Sequence, residues 1–144
     1  MAKKTIKLLG EPIQNEDDKA AEAIVPGMLV TWNGSGNWVK HAAALGPVIP
    51  VRVALEREEM GKDIDVAYAI NDTVKVGVFT SGMRFNGLVP TGSPAIIKGD
   101  VLESDGAGRL RKATTGTELD IVGVALEALT NVSGVDARLR VEVR

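Results

Sequence analysis

Few residues in this chain could carry chemistry. The 144 residues include one histidine and no cysteine. A zinc site of the usual Cys and His ligands is excluded by that count. A Ser-His-Asp arrangement, in which an imidazole takes the serine proton, would have to use His41. His41 ends a strand-like stretch, where a surface position is expected. Two glycine clusters, Gly34-Ser35-Gly36 and Gly106-Ala107-Gly108, suggest phosphate loops. A phosphate loop needs a helix N-terminus directly after the turn, because the free N–H groups there bind the anion. Both clusters lead into strand-like sequence instead, so both read as hairpin turns. Asp63, Asp65 and Asp72 lack the spacing and closing Glu of an EF-hand, and alternation puts Asp63 and Asp65 on one solvent face. Arg109, Arg111, Lys112, Arg138, Arg140 and Arg144 form a basic set, diluted by Glu118, Asp120 and Glu142. No aromatics are interleaved with it to stack bases. The expectation is a chain with no catalytic residues, no metal and no cofactor, which is not an enzyme and does not bind nucleic acid.

The elements that would position these residues follow from composition and pattern. A net charge of −2 supplies no field toward nucleic acid or an anionic membrane. No apolar run approaches the ~20 residues that span a bilayer. The opening MAKKTIKLLGEP is basic without a signal peptide's long apolar segment, so a soluble chain made in the cytoplasm is expected. Aromatics make up only 3%, with 16 glycines, and the apolar mass is Val, Ile, Leu and Ala. Rings normally contribute the largest buried areas. Their scarcity points to thin β-structure supplemented by association.

The chain also repeats itself. Sliding it by 72 positions lays Ala23–Lys40 over Ala95–Lys112, aligning Gly27, Gly34, Gly36 and Lys40 with Gly99, Gly106, Gly108 and Lys112. One position less lays VRVALE (51–56) over VGVALE (122–127), and VKVGV (74–78) matches LRVEV (139–143) more loosely. Two copies are too few for a solenoid, so one compact domain of two related modules is expected.

Turn signals every 8–12 residues between short apolar runs argue an all-β sandwich or barrel. Residues 1–20 read as an extended N-terminal arm and 21–144 as the β-domain, with repeats at 23–79 and 95–144. Within the arm, Thr5, Lys7 and Leu9 alternate with Ile6 and Leu8 as in a strand, and Asn15 could cap a short helix through Ala23 that Pro26 stops. Strands are expected at 28–32, 38–41, 48–56, 64–70, 73–79, 120–129 and 137–143. Residues 57–61 read as a charged connection, and 83–91 is ambiguous. The 120–129 strand is apolar on both faces around Gly123, as when one face meets a partner.

The phrases GKDIDVAYAINDTVKVGVF, IIKGDVLESDGAGRL, IVGVALEAL and RLRVEVR, in that order, resemble the small head-decoration (cement) proteins of tailed bacteriophages. The likeness runs from about Ala23 to the end. It implies a β-rich, tulip-like domain, often a homotrimer, on the outside of the virion capsid. There it would bridge subunits of the major capsid protein, with no cofactor and no membrane. It also implies an N-terminal arm reaching a capsid subunit, for which Thr5, Ile6, Lys7, Leu8 and Leu9 are the candidates by place. Ile121, Val122, Val124 and Leu126 are the candidates for a trimer or partner face. Two alternatives remain: another non-catalytic virion part, such as a head spike base or tail component, or a trimeric β-barrel enzyme of dUTPase type. GKDIDVAY echoes the substrate loop of the latter, but the Gly-Arg-Ser-Ser segment and the glycine-rich tail are absent.

Overall fold

Turn residues punctuate the chain and strands fill the intervals. The computed structural model describes residues 5–15, 17–42, 48, 50–57, 63–114 and 121–144. Among these, eleven strands form and no helix does. They are β1 (Lys7–Leu9), β2 (Ile13–Asn15), β3 (Val30–Trp32), β4 (Trp38–Lys40), β5 (Val51–Ala54), β6 (Val76–Phe79), β7 (Arg84–Val89), β8 (Val101–Ser104), β9 (Leu110–Lys112), β10 (Ile121–Ala125) and β11 (Ala137–Val143). The fold is all-β, in several antiparallel sheets. One sheet orders its strands β1-β7-β11-β10-β8-β9, a second β2-β6-β5, and a third is the β3-β4 hairpin. The ambiguous stretch 83–91 holds β7, buried along most of its length. Met1–Lys4, Glu16, most of the 57–61 connection, Glu118 and Asp120 lie outside the described residues.

The offset seen in the sequence recurs in the ladders. β3 meets β4 as Val30↔Lys40, Thr31↔Val39 and Trp32↔Trp38, and β8 meets β9 as Leu102↔Lys112, Glu103↔Arg111 and Ser104↔Leu110. β5 meets β6 as Arg52↔Val78, Val53↔Gly77 and Ala54↔Val76, and β10 meets β11 as Gly123↔Val143, Val124↔Glu142 and Ala125↔Val141. The joints agree too. Gly27 N–H donates to the Ala54 carbonyl (2.7 Å) as Gly99 N–H does to that of Ala125 (2.8 Å). Both glycines sit at positive φ (96° and 93°), where a side chain would be strained. Through the Leu29↔Val53 bridge the first module reads β2-β6-β5-β3-β4, matching β7-β11-β10-β8-β9 in the second. The repeat therefore reaches further back than the aligned residues, since β2 is the mate of β7. β1 is added once, on the outer edge of β7.

Each module has its own core at matching positions. Ile24, Val30, Trp38, Ala54, Val74 and Val76 pack together in the first. Their mates Ile96, Leu102, Leu110, Ala125, Leu139 and Val141 pack together in the second. The second core also takes in Leu29, Val53, Leu55 and Phe79 from the opposite face of the first module. The first module's sheet is thus covered on both faces, and burial of this seam is the main force holding the halves together.

Several expectations are corrected. Residues 17–23 form no helix, because their backbone finds tertiary partners. Ala20 N–H donates to Asp72, Ala21 N–H to Trp38 and Ile24 N–H to Tyr68. Such bonds satisfy the backbone as fully as a helix would. Residues 64–70 do not form the alternating strand. The chain turns at Asp63–Val66, burying Ile64 and Tyr68 but leaving Val66 and Ile70 exposed. In place of an extended arm, residues 5–15 supply β1 and β2, and Ile6 is 0% exposed in the shared core. His41, expected at the surface, is 2% exposed.

Candidate functional site

The most constructed place in the molecule is the seam where the second hairpin meets the first. Hairpin turns of one sequence type form both tips. Asn33 N–H donates to the Asn37 carbonyl (2.8 Å) as Asp105 N–H does to that of Arg109 (2.9 Å). Asn33 Oδ1 accepts from the N–H of Ser35 and Asn37, as Asp105 Oδ1 accepts from Ala107 and Arg109. This is the local side-chain capping that makes Asn and Asp turn residues. Gly36 and Gly108 share φ (79° and 78°), whereas Gly106 has a positive φ and Gly34 does not.

Their surroundings differ. The second tip is docked: Leu29 N–H donates to the Gly108 carbonyl (2.8 Å) and Gly108 N–H to that of His41 (3.1 Å). A Cβ on Gly108 would lie 3.1 Å from the Leu29 oxygen and 3.2 Å from Lys40 Cβ, so a side chain here would press on both. Below it, His41 Nδ1 and Ser104 Oγ share a buried 2.8 Å hydrogen bond. With both side chains sealed from solvent, this pair fastens the modules and offers a substrate no access. Around Gly36, by contrast, a Cβ would meet nothing within 4 Å.

Other buried or half-buried polar groups fasten the same body. Arg138 on β11 donates to the carbonyls of Pro26 and Ile64 (both 2.6 Å), tying the second module to two loops of the first. Burial lowers its pKa, opposed by its hydrogen bond to Asp65, and a guanidinium remains protonated under ordinary conditions. Glu103 is buried, which alone would raise its pKa. The N–H and hydroxyl of Thr114 and the charge of Arg111 outweigh that, and the net shift is downward. Asn131 donates to the carbonyls of Val89 and Val135.

The candidate arm residues are held on the domain. Thr5 Oγ1 and Ile6 N–H both donate to Glu56 (2.6 and 3.1 Å). Lys7, Leu8 and Leu9 form β1, leaving Leu9 51% exposed. Of the candidate partner face, Val122 is fully buried and Ile121 nearly so within this chain's own core, while Val124 and Leu126 stay partly exposed. Leu8, Leu9 and Leu126 come together, with Arg84 and Arg140, around a groove of about 200 Å³. Both arginines are paired, to Glu142 and Glu127. Within the basic set, Arg109 pairs with Asp105 and Asp136, Arg111 with Glu103 and Lys112 with Asp100.

The first hairpin also carries an aromatic surface of its own that no sequence motif marks. Trp32 stacks on Trp38 (4.6 Å between centroids), Arg52 lies over Trp32 at 4.5 Å, and Asp18 accepts from Trp32 Nε1 at 2.9 Å. Trp32 is still 38% exposed. The mismatch of Trp32 with Ser104 across the repeat was the available signal. Among the described residues no group of acidic or His side chains is placed to hold a metal ion. Comparison with protein-family models and with curated proteins finds no match to this chain.

Proposed function

We propose that the protein is a head-decoration protein, a homotrimer on the outside of a tailed-phage capsid that braces neighbouring major capsid subunits. The observation that carries this reading is the ordered set of phrases resembling cement proteins, which falls on β6, the β8–β9 hairpin, β10 and β11. The physics of the body agrees with the task. A brace needs rigidity, surface and several attachment points, and here the His41–Ser104 hydrogen bond and Arg138 tie one module to the other. Three attachment points on one trimer would bind with avidity, because the first contact raises the effective concentration of the rest. With Ile6 in the core, capsid contact falls to the exposed side of β1 and to the outer surfaces of the domain. The test is to titrate the purified protein onto heads of the encoding phage that lack it, and to image them. Saturable density at three-fold positions is expected. Absence of density on the heads, or steady turnover of a nucleotide by the pure protein, would contradict the reading.

A further inference from the structure

We propose that copies of this chain associate head to tail. The free tip of the first hairpin in one copy docks on the second module of the next, repeating the contact that each chain already makes internally. The duplication supplies the template. Inside the chain, the second module covers Leu29, Val53 and Leu55 of the first and sets Gly108 against Leu29, Lys40 and His41. The mates of the covered residues are Val101, Val124 and Leu126, with Lys112 and Ala113 matching Lys40 and His41. Leu29, Val53 and Leu55 are buried, while all three apolar mates remain partly exposed. The mate of the docked tip, Gly36, has open space around it and already holds the φ that Gly108 uses, and on docking its N–H would exchange the Asn33 carbonyl (3.1 Å) for one on the seat. The second module therefore presents a partly exposed seat, and the first presents a hairpin tip with open space around Gly36, while Val30 and Trp38 behind the tip are already buried in the first module's own core.

Side-chain sizes support a second copy as the occupant. At the internal seam a small Ser104 on the plug meets a large His41 on the seat. At the free pair the order reverses, with Trp32 on the plug and Ala113 on the seat. A large group faces a small one in both, as interdigitated packing requires. Seating the hairpin would also cover the part of Trp32 that Trp38 and Arg52 leave exposed, and buried aromatics dominate interface energies. Plug and seat are different surfaces, so the contact is heterologous and generates a ring if its rotation closes.

Two measurements test this. In sedimentation equilibrium the wild type is expected to self-associate, and Ala113→Arg, which fills the seat, to weaken association at least about tenfold, or 1.4 kcal/mol. The variant's melting temperature should match the wild type. A wild type monomeric up to about 0.5 mM, or association unchanged in a folded Ala113→Arg, would overturn the proposal. The second uses the absence of native cysteine. The 3.2 Å approach of a Gly108 Cβ to Lys40 Cβ is near the ~3.5–4.5 Å of a disulfide. Gly36→Cys protein mixed with Lys112→Cys protein is expected to give a disulfide between the two on oxidation, and neither alone to give one. No mixed disulfide, or equal linkage of Gly36→Cys with itself, would overturn it.

Discussion

The two hairpins of this protein share the hydrogen bonds that close and cap their turns, and have two fates. The β8–β9 tip is built into the molecule, with Gly108 against the Leu29 backbone and Ser104 on His41. The β3–β4 tip stands clear, with Trp32 stacked between Trp38 and Arg52. Local sequence set the turn in both, since Asn33 and Asp105 cap the same N–H groups. Surroundings set everything else. A duplicated element thus shows which features belong to the module and which to its neighbours.

The sharpest way to break the comparison is to swap the residue that differs in VRVALE and VGVALE. A Cβ on Gly123 would collide with the Glu142 carbonyl oxygen, where only backbone could yield. Gly123→Arg should therefore cost at least about 4 kcal/mol and leave little folded protein by circular dichroism. The reciprocal Arg52→Gly removes a cation–π contact and a strand side chain, and should cost about 1–2 kcal/mol in urea unfolding. Comparable losses at the two sites would deny the difference in backbone crowding.

Next comes the N-terminal segment, which has no counterpart in the repeat. Ile6→Ala empties a fully buried site and is expected to cost about 2–5 kcal/mol. Deleting residues 1–20 removes β1, β2 and two core residues, so loss of the fold is expected rather than loss of attachment alone. A deletion variant with wild-type stability would show that the segment is an appendage.

These two cases show how far the sequence could be read. Turn chemistry and alternation were local, so the hairpins and β11 were legible, as was the pairing of the modules. The burial of Ile6 was not legible, because alternating Thr-Ile-Lys-Leu-Leu looks the same on a free arm and on an edge strand. Residues 64–70 alternate in type, yet Asp63 and Asp65 admit a turn that breaks the face. The docked His41 was hidden because its partner, Ser104, lies 63 residues away. Of the candidate partner face, Val122 could not be told from Val124 without knowing where the other module sits.

Smaller effects sharpen the contrast between the tips. Gly36→Ala and Gly108→Ala share the strain of positive φ, about 1 kcal/mol, but only the second also presses on Leu29 and Lys40. Gly108→Ala should cost about 1–2 kcal/mol more than Gly36→Ala in the same assay. Equal costs would remove the claim of a docked tip. A double-mutant cycle on His41→Ala and Ser104→Ala should give a coupling of about 1 kcal/mol. Coupling near zero would mean the two side chains are neighbours only.

Glu103 gives the smallest effect and a direction with pH. Its carboxyl has a lower pKa folded than unfolded, so it contributes stability above its unfolded pKa. That contribution fades as pH falls through the folded value. Glu103→Gln should therefore be less stable than wild type at neutral pH, with the gap closing on acidification. A gap that widens in acid would contradict the inferred shift.

Amide hydrogen exchange on dilute protein compares the two hairpins most directly. The N–H groups of Leu29 and Gly108 are expected to exchange only with global unfolding, and that of Gly36 to exchange far faster through local opening. Equal exchange at Gly36 and Gly108 would contradict it.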